Sequence, residues 1–179
     1  MPVPQNKEDL TKLFRELGAR NPEAWASSQV SEGIHQLHRF LFLRQAWARV
    51  VSESDDTWID KQVSESERYA DGPYAGVGQA IHRMLAAGVA REDIVDLARG
   101  MQAQLLFDIC YLLDGPEDSE PRVEDIGWAL VETDSESEPT KQMMSCLHES
   151  VLVTDPTGRE MRPRGSQVDS RSPEAPGPL

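Results

Sequence analysis

The chain has 179 residues, 39% of them apolar and 27% charged, a balance that suits one folding domain of ordinary size without disulfides or a structural metal. Its 31 acids against 18 bases give a formal net charge of −13, which repels phosphate backbones and argues against nucleic acid as a direct partner. The start of the chain carries no apolar leader core and no stretch reaches membrane-spanning length, so the sequence reads as a cytoplasmic protein with no membrane contact.

In chain order, Leu10, Leu13, Phe14 and Leu17 recur at helical spacing and predict a short amphipathic helix over Glu8–Leu17. Asn21 followed by Pro22 signals a helix start, and the pattern runs to about Ser52 with a break at Gly33. The second part of that run, with Ile34, Leu37, Phe40, Leu41, Leu43, Trp47, Val50 and Val51, is apolar over more than half its circumference and should be covered by several neighbours. Asp55–Val63 is expected as a short helix, residues 64–78 as a loop containing Gly-Pro-Tyr-Ala-Gly-Val-Gly, and Gln79–Ala87 as another helix. Tyr69, Tyr74 and Trp58 near that loop are candidates for lining a surface groove.

The clearest helix is expected over Ala90–Asp114, with acids in its first turn, Gly115-Pro116 as its stop, and an inward stripe of Ile94, Leu97, Ala98, Met101, Leu105, Ile109 and Leu112. Ile126–Val131 and Lys141–Met144 are expected to pair as a β-hairpin, followed by a last helix near Met144–Val153 and a turn at Asp155-Pro156-Thr157-Gly158. The fold class is therefore mainly α: a compact domain of five to six helices over residues 1–160 with a small hairpin near 126–144. Beyond Arg159 the composition turns to Pro, Ser, Arg and Gly with almost no apolar content, so residues 161–179 are expected as a flexible tail, disordered from Gly165 to Leu179.

Two charges fall on apolar arcs. Arg44 lies among Leu37, Leu41, Ala48 and Val51, and Asp108 lies in line with Leu97, Met101, Leu105 and Leu112. Both are expected to point inward and, with opposite signs, to pair.

Chemical motifs are sparse. Glu32, His35 and His38 form Glu-x-x-His-x-x-His, but a carboxylate-bridged bundle wants a second Glu-x-x-His helix, and here Gln79 precedes His82. The two histidines fall on the polar side of their wheel, so no metal or other cofactor is expected. Ser145-Cys146-Leu147-His148-Glu149 sets a thiol beside an imidazole, yet adjacency in sequence is not the arrangement that activates a nucleophile. The Gly-x-Gly of Gly76 and Gly78 has no preceding strand, third glycine or lysine to make a phosphate loop. No catalytic residue is assigned.

Between Glu117 and Glu138 nine acids stand against Arg122 alone. Glu117, Asp118, Glu120, Glu132, Asp134, Glu136 and Glu138 are the candidate partner-binding residues, which would steer a protein with a basic surface. The expected function is a non-catalytic protein-binding module, an inhibitor or regulator; the alternative is a small enzyme or ligand binder with a pocket between helices. In general type this profile is similar to small bacterial immunity proteins, which bind a toxin domain, though no residue pattern carries that similarity and no site transfers from it.

Overall fold

The structure is a computed structural model that describes residues 3–115 and 127–165. It is mainly helical, with α1 Lys7–Glu16, α2 Pro22–Glu32, α3 Gln36–Trp47, α4 Thr57–Arg68, α5 Ala75–Ala86, α6 Arg91–Leu113 and α7 Leu147–Val151, plus strands β1 Val131–Thr133 and β2 Pro139–Met143.

The helix starts follow local chemistry. The Asn6 and Asn21 side chains accept hydrogen bonds from the backbone N–H groups of Asp9 and Ala24, satisfying donors that the first turns of α1 and α2 leave open. Gly33 ends α2 in the left-handed conformation, at φ 69°, and this turn redirects the chain into α3. β1 and β2 form an antiparallel pair in which Val131 opposes Met143 and Thr133 opposes Pro139, so the first strand begins where the sequence pattern suggested it would end.

Three apolar clusters build the interior. In the first, Phe14, Trp25 and Phe40 from α1, α2 and α3 interlock, with Phe14 stacked on Trp25 and Phe40 edge-on to both at 5.6 Å. In the second, Leu43 and Trp47 of α3 meet Ala103 and Cys110 of α6 and Leu147 and Val151 of α7. In the third, Ile59 of α4 and Ile81 of α5 close over Ile94 and Val95 at the start of α6. Helices α3 and α6 each serve two clusters, which meets the expectation that α3 is covered on several sides.

The loop expected over 64–78 is much shorter. α4 continues to Arg68 and α5 begins at Ala75, so Gly76 and Gly78 are helical residues. Tyr69 and Tyr74 do flank an exposed groove between these helices, while Trp58 packs against the third cluster.

The inward stripe of α6 requires correction. Ile94 is buried as expected and Ala98 half-buried, but the rest of the buried face is Val95, Arg99, Ala103 and Cys110, whereas Leu97, Met101, Leu105, Ile109 and Leu112 are 44–67% exposed. From Leu97 onward α6 has apolar residues on more than one side, so the bulkiest stripe does not identify the packed side. Small Ala103 and Cys110 let α6 approach Leu43 and Trp47, and Arg99 needs the interior because its partner is there.

The expected Arg44–Asp108 pair is also corrected: both residues are exposed, and among the described residues neither forms an ion pair. The arc around Arg44 was drawn with Ala48 and Val51, which lie beyond the end of α3 at Trp47. Without them the buried arc is Gln36, Leu37, Arg39, Phe40, Leu43 and Trp47, and Arg44 falls at its rim. Asp108 moves outward with the misassigned stripe of α6.

The buried ion pair is instead Arg99 with Asp155, at 2.6 Å. Arg99 also donates to the Val51 carbonyl at 2.7 Å and lies over the Trp47 ring. Asp155 accepts from the Thr157 N–H and hydroxyl and from the Met161 N–H, which builds the expected turn at 155–158 around a carboxylate. Burial pushes the Asp155 carboxyl up, but these hydrogen bonds and the Arg99 charge outweigh it and hold it below the usual carboxylate range.

Past the turn, Met161 packs on the second cluster, Arg159 pairs with Glu53, and Arg164 grips Asp96 and Glu92 of α6. The chain is thus tied to α6 as far as Arg164; the remainder of the expected tail, 166–179, lies outside the described residues. No described helix is long and apolar enough to cross a membrane.

Candidate functional site

The site is assembled from the outer face of α6, a helix of 23 residues and so about 34 Å long. From Leu97 to Leu113 it carries only two charges, Arg99 and Asp108, in a chain that is 27% charged. Arg99 is buried, so Asp108 is the one charge on the exposed side. Around it Leu97, Met101, Leu105, Ile109 and Leu112 form a continuous row at spacings of four, four, four and three residues, which places them on one face. Single exposed apolar side chains are ordinary, and a connected row of five along one helix makes this face the candidate contact surface. The row continues into a groove of about 560 Å³ lined by Leu97, Met101, Phe107, Leu152 and Met161. At its far end the exposed Trp128 donates its indole N–H to the Leu112 carbonyl, extending the aromatic and aliphatic surface.

The acidic candidates divide. Glu117, Asp118 and Glu120 lie outside the described residues. Asp134, Glu136 and Glu138 are exposed at the tip of the hairpin, where the Asp134 carboxylate accepts from the N–H groups of Glu136 and Glu138 and shapes the turn. Glu132 is not on this surface. Strand alternation turns its side chain inward, leaving it 5% exposed, and both its oxygens accept from His35 Nδ1 at 2.8 and 3.0 Å.

His38 stands one turn along α3 from His35, with Nε2 3.7 Å from the same Glu132 oxygen. The Glu32 of the sequence motif is excluded from this group, because α2 ends there and its carboxylate accepts from Ser28. A carboxylate 97 residues away in sequence takes its place. Only a correct register for the hairpin would have pointed to it.

Cys146 and His148 do not form a nucleophilic pair among the described residues. His148 is held by Asp114 at 2.5 Å through Nδ1, and Asp114 also accepts from the Leu147 N–H, so the carboxylate joins the end of α6 to the start of α7. The Cys110 thiol, pushed up to about 11 by burial and by the nearby Asp114 charge, stays protonated.

The chain matches no protein-family model, and neither a curated protein nor a solved structure is significantly similar to it.

Proposed function

We propose that this chain is a protein-binding module that receives a basic amphipathic helix of another protein along the outer face of α6. The observation that supports this reading is the row Leu97, Met101, Leu105, Ile109 and Leu112 with Asp108 in its midst. A helix laid on this row would bury its own apolar stripe by helix-in-groove packing, and a lysine or arginine beside the stripe would neutralise Asp108 as water leaves. An overall charge of −13 steers such a basic partner toward the surface before contact.

A second copy of the chain is a poorer occupant. Two copies bring two charges of −13 together, and an antiparallel self-pair centred on Leu105 sets each Asp108 against Gln102 with no cation. The recognition surface is therefore not the hairpin carboxylates alone: Asp134, Glu136 and Glu138 serve long-range attraction, and α6 supplies the contact area.

The test uses labelled helical peptides with a leucine stripe flanked by lysine, and a charge-reversed set flanked by glutamate, read by fluorescence anisotropy. The lysine set binds in a saturable manner that weakens with salt. Leu105→Glu abolishes binding while leaving the melting temperature unchanged, since the side chain it replaces is exposed. Asp108→Asn retains binding with slower association and a flatter salt dependence. Equal binding of both peptide sets, or binding that survives Leu105→Glu, overturns the proposal. So does sedimentation as a dimer that Leu105→Glu converts to monomer, since the face would then belong to a second copy.

A further inference from the structure

We infer that His35, His38 and Glu132 form a binding site for a divalent first-row metal ion, with zinc as the best fit. Among the described residues they are the one group of three metal-ligating side chains whose ligand atoms all lie within 4.8 Å of one another. A tetrahedral ion with bonds of about 2.0–2.1 Å sets its ligand atoms roughly 3.3 Å apart. The observed separations from Glu132 Oε2, 2.8 Å to His35 Nδ1 and 3.7 Å to His38 Nε2, bracket that value, so an ion fits after small side-chain rotations.

The polar bookkeeping of the cluster points the same way. His38 makes no hydrogen bond through either nitrogen among the described residues: Nδ1 is buried without a partner, and Nε2 lies beyond hydrogen-bond reach of Glu132. A metal on Nε2 gives that nitrogen a partner, while Nδ1 is left without one among the described residues. Glu132 is a buried carboxylate whose charge needs a counter-charge, and among the described residues no lysine or arginine forms an ion pair with it. A bound cation would supply that charge and be shared by all three side chains.

The donor set decides the class of ion. Two imidazoles and one carboxylate suit zinc and its neighbours and do not suit calcium or magnesium, which take oxygen ligands. Three protein ligands leave the fourth position free. A crevice of about 160 Å³, with room for water, adjoins two of the three ligands and is lined by Gly33, His35, Arg39, Glu132, Gln142 and Ser145. Because His35 and His38 come from the start of α3 and Glu132 from β1, the ion would fasten the hairpin to the helical body. This site is separate from the outer face of α6 and stands or falls independently of the peptide-binding proposal.

The experiment titrates the full chain, freed of metal by chelator, with Zn²⁺ by calorimetry and with Co²⁺ by absorption. One ion binds per chain, Co²⁺ develops the visible bands of a low-coordinate site with nitrogen ligands, and Zn²⁺ raises the melting temperature. His35→Ala, a change at a half-exposed side chain, lowers affinity by more than about 100-fold, above the loss expected from an outer-shell change, and removes the thermal shift. Glu132→Gln, which preserves shape, does the same. His82→Gln and His148→Gln, at the other two histidines, leave both signals in place. Absence of saturable binding, or binding undiminished by His35→Ala, overturns the assignment.

Discussion

Asp155→Ala should cost about 3–5 kcal/mol, because it leaves the Arg99 guanidinium buried without its counter-charge. The substitution also removes the acceptor for three hydrogen bonds from Thr157 and Met161, so the turn that returns the chain to α6 loses its centre. Asp155→Asn separates the two roles. It keeps the shape and part of the hydrogen bonding, loses the charge, and should be destabilised by less than the alanine variant. Urea denaturation followed by tryptophan fluorescence measures this directly, since Trp47 lies against Arg99.

The pH dependence has a defined sign. The Asp155 carboxyl is lowered in the folded state, so its contribution is present in full above the unfolded carboxylate value of about 3.9 and is lost as pH falls through the folded value. Arg99→Met removes one of the causes that hold the carboxyl low and leaves the Thr157 and Met161 hydrogen bonds, so the folded value moves up and the variant's deficit should be largest near neutrality and shrink on acidification below the carboxylate range. Equal deficits for Arg99→Met at pH 3 and pH 7 would contradict the pairing.

This pair shows what the sequence could and could not disclose. The buried pair expected from sequence, Arg44 with Asp108, is exposed on both sides, and although the turn at Asp155 was legible its pairing with Arg99 was not. Arg99 lay on the less bulky side of α6, and a wheel ranks sides by hydrophobicity, whereas packing also selects small residues where helices approach closely, as at Ala103 and Cys110. Local signals fared better. Asn21-Pro22, the break at Gly33, and Gly115 after α6 each act within a turn of the chain, and each boundary fell where those residues place it. The His35–His38–Glu132 group lay out of reach because it depends on the hairpin register, and moving a strand by one residue turns every side chain to the other face.

The segment around Gly78 was misread for the opposite reason, since glycines that signal a loop in sequence can instead mark a tight helix crossing. A Cβ at Gly78 would stand 2.0 Å from the Gln62 carbonyl oxygen and 2.6 Å from the Ser66 hydroxyl, both on α4. The first is backbone, so no side-chain rotation relieves it and α4 must move away from α5. Gly78→Ala should therefore destabilise the protein by about 3 kcal/mol, at the upper end for overpacking, despite the gain of up to about 1 kcal/mol in helix propensity that alanine brings. Gly100 supplies the control. It too is inside a helix, but a Cβ there meets nothing within 4 Å, so propensity alone acts and Gly100→Ala should stabilise by about 0.8–1 kcal/mol. The two substitutions are chemically identical, and opposite signs in thermal denaturation would isolate the contact between α4 and α5 as the cause. If Gly78→Ala also stabilises, the two helices do not approach as closely as the structure places them. The loss should be carried by the third cluster, where Ile59 and Ile81 meet across this crossing, so amide exchange in Gly78→Ala should quicken in α4 and α5 while the Phe14, Trp25 and Phe40 cluster keeps its protection.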